Sequence, residues 1–181
     1  MKDVLKIRVT VSEDLADILT IEEKAFNSSE EAELVRQLLE DPTAEPIFSL
    51  LAFIEDKPVG HIMFSKVIFY PAIDVGGSIL GPLAVIPEYQ KRGVGGQLIG
   101  RGLEMLRANG VDWVFVLGHE SYYPRFGFKP AINQGFEPPY PIQEEFSNAW
   151  MAQALTPTCI ATYQGKIIPA KTFNDPKYWS D

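Results

Sequence analysis

The hydrophobic positions fall into short periodic runs, and the period changes several times along the chain. Leu5, Ile7 and Val9 alternate with Lys6, Arg8 and Thr10, a period-two strand pattern over Leu5–Thr10. Ser12, Glu13 and Asp14 then read as a helix start, with acids at the positive end of the helix dipole. Leu15, Ile18, Leu19, Ala25 and Phe26 follow at helical spacing. Ser28 with Glu31 has the form of a capping box ahead of Leu34, Val35, Leu38 and Leu39, and Asp41-Pro42 ends that second helix. Phe48–Ile54 and Val59–Tyr70 predict two strands, joined as a hairpin through Glu55-Asp56-Lys57-Pro58. Ile79–Ile86 and Trp113–Gly118 are apolar throughout, as strands buried on both faces are. Between them, Gly93–Asn109 carries Leu98, Ile99, Leu103 and Leu106 at helical spacing, and Asn109-Gly110 stops it. Ser121–Phe126 predicts a short helix and the proline-rich residues 130–147 a loop; Trp150–Leu155 and Thr158–Tyr163 predict closing strands. The order β-αα-ββ-β-α-β-α-ββ is a mixed α/β (α+β) layout, expected as one domain over residues 1–181.

Composition narrows the class. A chain of 181 residues buries enough surface to fold without cross-links. Its single cysteine, Cys159, excludes an internal disulfide. No HxH, HExxH or CxxC pattern exists, so no metal is expected. A net charge of −8 argues against a nucleic-acid partner, whose phosphates dominate affinity. Lys91 and Arg92 form a local basic patch suited to one phosphorylated ligand. The first residues lack the apolar core of a signal peptide, and no apolar run reaches the ~20 residues of a membrane span. The expectation is a soluble, cytoplasmic protein with no membrane partner, monomeric or homodimeric.

The most informative stretch is Leu80–Gly100. A buried strand runs into a polar loop, then glycines, then an amphipathic helix. Glycines let backbone approach a ligand closely, and N–H groups at a helix N-terminus favour an anion. Two familiar glycine loops fail here. Gly95 and Gly100 have Walker spacing, but Arg101-Gly102 replaces the Lys-Ser/Thr pair. Gly93 and Gly95 begin a dinucleotide fingerprint, but Leu98 occupies its third glycine position. A third pattern, Gln/Arg-x-x-Gly-x-Gly/Ala, is matched by Gln90-Lys91-Arg92-Gly93-Val94-Gly95. One helix and one strand later comes Ser121-Tyr122-Tyr123-Pro124-Arg125-Phe126-Gly127-Phe128.

Together these segments resemble the pyrophosphate loop and the Tyr-x-x-x-Gly-Phe signature of the GNAT superfamily of N-acetyltransferases. The Tyr-Tyr-x-Arg-Phe-Gly-Phe form is similar to a bacterial branch of it. The resemblance covers Leu5 to Phe128 well and the remainder loosely. It implies a central, mostly antiparallel, twisted sheet flanked by helices, with splayed fourth and fifth strands. It also implies acetyl transfer from acetyl-CoA, as co-substrate, to a small-molecule or peptide amine by direct attack. Pantetheine would pair with the backbone of Leu83, Ala84 and Val85, with Gly81-Pro82 suited to a bulge. The pyrophosphate would rest on Gln90, Lys91, Arg92, Gly93, Val94, Gly95 and Gly96, Gln90 being the weaker contributor by its side chain.

The resemblance implies Tyr123 as the acid that protonates the leaving thiolate, with its neighbour Tyr122 packed in the core. Relatives often carry a glutamate base on the fourth or fifth strand, and none stands in Ile79–Ile86 or Val114–Leu117. His119 is the candidate base by chemistry, with Glu120 second. Glu22 and Glu23 lie on the first helix as candidates that are otherwise simply solvated. His61 is expected to be structural. Cys159, without a cationic neighbour, is not expected to carry an acetyl group. A CoA-binding sensor without turnover, and a nucleotide-binding enzyme using the same loop, remain the alternatives.

Overall fold

The computed structural model describes residues 4–157 and 163–180. Its strands are β1 (Leu5–Val9), β2 (Phe48–Ile54), β3 (Lys57–Tyr70), β4 (Gly77–Val85), β5 (Trp113–Leu117), β6 (Lys129–Pro130), β7 (Phe136–Glu137), β8 (Trp150–Ala154) and β9 (Gly165–Pro169). The helices are α1 (Leu15–Phe26), α2 (Glu30–Glu40) and α3 (Val94–Ala108). The strands form one sheet in the order β1-β2-β3-β4-β5-β8-β6, while β9 pairs with the far half of β3 and with β7. Among the described strand pairs, only β4–β5 and β7–β9 run parallel. The mixed class and the mostly antiparallel sheet are those expected.

Helices cover both faces of the sheet. A side chain at Gly60 would stand 3.0 Å from Leu98 and 3.1 Å from Val94, so Gly60 faces α3. Gly102 of α3 lies against the ring of Phe64, two register steps further on the same face. His61, the residue after Gly60, points the other way and bonds Glu22 of α1. α3 therefore covers one face of β3, and α1 with α2 the opposite one.

Local starts differ in detail from the sequence reading. Ser12–Asp14 is a 3-10 turn, and Asp14 rather than Ser12 organises it. Its carboxylate accepts from the Val11 N–H at 2.7 Å and from the Arg8 guanidinium at 2.7 and 2.9 Å. The Arg8 hydrogen bond draws the Asp14 pKa down to about 2. The Ser28–Glu31 box does not form. Ser28 Oγ accepts from the Glu30 N–H at 3.2 Å, Ser29 occupies the cap, and Glu31 turns one carboxylate oxygen inward. A capping box needs its serine immediately before the first helical turn, and α2 begins one residue too late.

Residues 130–147 are not only loop. They include the short strand β7 and end the equally short β6; the 3-10 turns Ile132–Gln134 and Glu144–Ala149 fill much of the rest. The expected strand Thr158–Tyr163 lies, apart from Tyr163, outside the described residues. The last strand of the sheet is β9. Beyond it, the tail folds back. The Lys171 N–H donates to Thr43 Oγ1 and the Thr172 N–H to Asp41 Oδ2, both at 2.9 Å. Trp179 is buried edge-on against Trp150 and beside Phe173, and the Phe173 ring lies against Gly81.

Candidate active site

The β4–β5 ladder is short. Its register runs Gly77–Trp113, Ser78–Val114 and Ile79–Phe115, and stops there. Beyond it, β4 keeps β3 on one side, pairing Leu83 with Ile62, Ala84 with His61 and Val85 with Gly60. β5 instead continues along β8 to Leu117. The two parallel strands thus part after Ile79, which is the splay expected of the fourth and fifth strands. The β3–β4 register shifts between Ile62 and Phe64, and Gly81-Pro82 is a cis peptide. Leu83 and Val85 are half-buried and Ala84 is buried, with one ladder edge of this segment turned from β3 and not taken by another described strand.

The parted end of β4 leads into the glycine loop. Gln90 spends its side chain on structure: its amide donates to the carbonyl of Val85 at 2.8 Å and ties the loop to the strand end. Lys91 has φ 61° and Gly93 φ 83°, so the chain passes twice through the left-handed region before the helix. At Gly93 that conformation favours glycine; no neighbour crowds the position. α3 then begins at Val94 without a side-chain cap. The first N–H groups of a helix have no partner within it, so Val94, Gly95 and Gly96 present theirs at the positive end of the dipole. Lys91 and Arg92 are exposed beside them, the Arg92 guanidinium 5.1 Å above the Tyr89 ring.

The signature segment packs on this helix start. A side chain at Gly95 would stand 2.7 Å from the Tyr122 hydroxyl, and one at Gly96 3.1 Å from the Phe126 ring. Tyr122 is half-buried, its ring edge-on to Tyr123 and Phe126 and under the Arg125 guanidinium at 5.0 Å. Tyr123 is the buried one, wedged against Gly118 and edge-on to Phe128. This reverses the packing expected of the pair: Tyr122, not Tyr123, faces the glycine loop. Desolvation raises the pKa of both, most strongly that of Tyr123; Arg125 opposes it at Tyr122. His119 and Glu120 are exposed, and the backbone carbonyl of His119 closes the turn by accepting from the N–H groups of Tyr122 and Tyr123.

The opposite face of the sheet holds polar chemistry that the sequence reading undervalued. Glu22 and His61 are fully buried. His61 Nδ1 lies 2.6 Å from Glu22 Oε1, and His61 Nε2 lies 2.8 Å from Ser49 Oγ. Glu22 Oε2 is buried without a hydrogen-bond partner. Burial holds the Glu22 pKa above the ordinary carboxylate range and Glu31 pushes the same way, while the His61 hydrogen bond works against them. Of the two α1 glutamates only Glu23 is solvated. One signal was available: Glu22 follows Ile18 and Ile21 on the apolar stripe of α1, where a charged residue is out of place.

Among the described residues, no group of three or more His, Cys, Asp or Glu side chains is placed to hold a metal ion, and no helix is long and apolar enough to cross a membrane. The family model described as Acetyltransferase (GNAT) family matches residues 13–128. The chain belongs to this family. Among its relatives, the GNAT protein is 53% identical to an uncharacterized N-acetyltransferase, YjhQ of Escherichia coli K12, over 150 residues, covering 82% of this chain and 83% of that one. Its fold superposes on a crystal structure of the GNAT N-acetyltransferase YhbS of Escherichia coli in complex with CoA, with a TM-score of 0.87 at 27% identity, covering 97% and 94% of the two chains. A GNAT acetyltransferase of Brucella melitensis in complex with acetyl-CoA superposes with a TM-score of 0.75 at 30% identity, covering 95% and 99%. The protein is therefore a GNAT N-acetyltransferase.

Proposed function

We propose that this N-acetyltransferase moves an acetyl group from acetyl-CoA to a primary amine by direct attack in a ternary complex. The observation that carries the reading is the free edge of β4 leading, through the 3-10 turn Pro87–Tyr89 and the glycine loop, to the uncapped start of α3. Those two features fit two neighbouring parts of a CoA molecule. An extended pantetheine has amides that a free strand edge can pair, here along Leu83, Ala84 and Val85. A pyrophosphate needs converging N–H donors and positive charge, here the backbone of Lys91 to Gly96, the α3 dipole and the cations of Lys91 and Arg92. Gly95, having no side chain, lets the Tyr122 hydroxyl come up to the helix start. Gln90 contributes by holding the loop against β4.

Acetyl transfer asks for a neutral amine and a proton for the departing thiolate. Both tyrosines keep their hydroxyl protons at neutral pH, because burial disfavours the phenolate. Tyr123 holds the acid position implied by the family signature, and Tyr122 places its hydroxyl at Gly95. His119, exposed at the end of β5, is the solvent-facing candidate for the base. Cys159, the single cysteine, plays no part in this scheme.

Thermal shift with acetyl-CoA, CoA, NAD and ATP tests the reading. Stabilisation by the first two alone is expected; stabilisation by NAD or ATP without CoA overturns it. Thiol release from acetyl-CoA across an amine panel then separates turnover from mere sensing. Intact mass after acetyl-CoA alone should show no adduct; a stoichiometric adduct lost in Cys159→Ala would refute direct transfer.

A further inference from the structure

The buried polar cluster on the α1–α2 face is short of hydrogen-bond donors. Glu22 spends one oxygen on His61 and leaves the other buried without a partner. Glu31 of α2 also buries an oxygen without a partner. Orphaned buried acceptors are costly and call for an explanation. The groups that face Glu22 are His61 from β3, Glu31 from α2 and, through His61, Ser49 from β2. Among the described residues, no lysine or arginine pairs with them. A ligand that completes this cluster must bring several N–H donors and positive charge. A protonated primary amine does both, an alcohol brings one neutral donor, and an anion brings neither.

The cluster also lies where an acceptor has to arrive. His61 stands opposite Ala84 in the β3–β4 register, within the part of β4 that has left β5. α1 packs on both β3 and β4. The glycine loop and α3 occupy the other face, so a nucleophile approaching from α1 and α2 meets the splay without crossing the cofactor's path.

We propose that Glu22, positioned by His61 and Ser49, receives a cationic primary amine at its free oxygen and takes its proton, with Glu31 adding negative charge from the facing helix. The proposal rests on the acetyltransferase reading above and specifies its acceptor as an alkylammonium. One N–H proton of R–NH3+ passes to Glu22 Oε2. The freed lone pair forms the C–N bond to the acetyl carbon, the C–S bond breaks, and its electron pair leaves on sulfur. A second N–H proton of the amine ends on the thiolate through the tyrosine side of the site. Glu22 gives up its proton before the next turnover, so the net change is ammonium plus thioester to amide, thiol and one proton. Glu22, in place of the exposed His119, is then the catalytic base; His61 and Ser49 are positioning residues.

The test compares acetylation of charged and uncharged amines by wild type and Glu22→Gln. Free thiol is followed with acetyl-CoA and n-butylamine, cadaverine, spermidine, tyramine or a lysine-containing peptide as charged probes. Trifluoroethylamine is the probe already neutral at pH 7. Glu22→Gln is expected to lower kcat/KM for the best charged probe by about 10²–10⁴-fold, the usual contribution of a general base, and to lower that for trifluoroethylamine by a much smaller factor. Its rate on the charged probe should rise tenfold per pH unit, following the free amine. Wild type should lose activity only as the pH falls through the raised pKa of Glu22. The variant keeps the shape of the side chain but breaks the buried pair with His61, so its Tm should fall, and rates are compared well below it.

If acetyl-CoA fails to stabilise the wild type, the acetyltransferase reading falls and this proposal with it. If acetyl-CoA binds but no charged probe is acetylated, or Glu22→Gln slows both amine classes equally, the Glu22 assignment alone is overturned. Ser49→Ala, which leaves the Glu22–His61 pair intact, provides a second readout should Glu22→Gln not fold. It should shift the acid limb of the pH profile, and an unmoved limb overturns the positioning role.

Discussion

The two faces of the β4 splay are built from different materials. On the α3 face, the parts are backbone: a strand edge without a partner, two left-handed residues, and a helix start that no side chain caps. On the α1–α2 face, the parts are side chains brought from three elements, with Ser49 and His61 12 residues apart and Glu22 and His61 39 apart. A backbone site suits a ligand whose phosphates and amides are the same in every turnover. A side-chain site suits one whose charge state must change during the reaction. The first kind has to be written as a contiguous motif, since consecutive N–H groups come only from consecutive residues. The second leaves no local trace.

The contrast is broken most severely at Gly95. Valine there places a branched side chain where the Tyr122 hydroxyl and the helix start leave no room, 2.7 Å from the hydroxyl already at Cβ. Complete loss of acetyl-CoA stabilisation in thermal shift is expected, with an unchanged far-UV spectrum; retained binding would mean that the backbone face is not the cofactor face. Next come the tyrosines. Either Tyr122→Phe or Tyr123→Phe should reduce turnover by about 10²–10⁴-fold with acetyl-CoA binding retained. The position of Tyr122 against the glycine loop and the family signature at Tyr123 make opposite forecasts, so steady-state rates of the two variants decide between them.

A smaller effect sharpens the side-chain face. Ser49→Ala removes the partner of a fully buried imidazole nitrogen and should cost about 1–3 kcal/mol in urea unfolding. No loss would mean that Nε2 has found another partner. The smallest effect belongs to Lys91, whose charge and conformation are separable. Lys91→Ala and Lys91→Gly should weaken acetyl-CoA binding alike, less so as salt rises. Lys91→Gly should be the more stable of the two by about 1 kcal/mol, because φ 61° strains any residue with a Cβ. Equal stabilities would contradict that strain.

This division also explains what could be read before the fold was known. Alternation in β1–β3, the apolar runs of β4 and β5 and the stripe of α3 located those elements within a few residues, because each is set by local periodicity. The glycine loop was legible for the same reason. β9 was not: its five residues are short, and its partners in β3 and β7 lie far away in sequence. The packing of Tyr122 and Tyr123 was read in reverse. Neighbouring residues in a turn have no period to assign their faces; the wedge of Tyr123 against Gly118 does so, and only the fold supplies it. Glu22 was undervalued because glutamates are usually solvated, and its partners His61 and Ser49 share no motif with it.

Phe173 has a consequence for affinity. Its ring backs onto Gly81, 3.2 Å from where a side chain would begin, and a network with Trp179, Asp41 and Thr43 anchors the tail that carries it. The parted end of β4 is therefore braced from behind in the free enzyme. The entropy lost in ordering that strand falls on folding rather than on association, and a binding edge fixed in advance holds its ligand more tightly than one that must first be ordered. The C-terminal residues thereby fix the conformation of a strand edge that lies far from them in sequence.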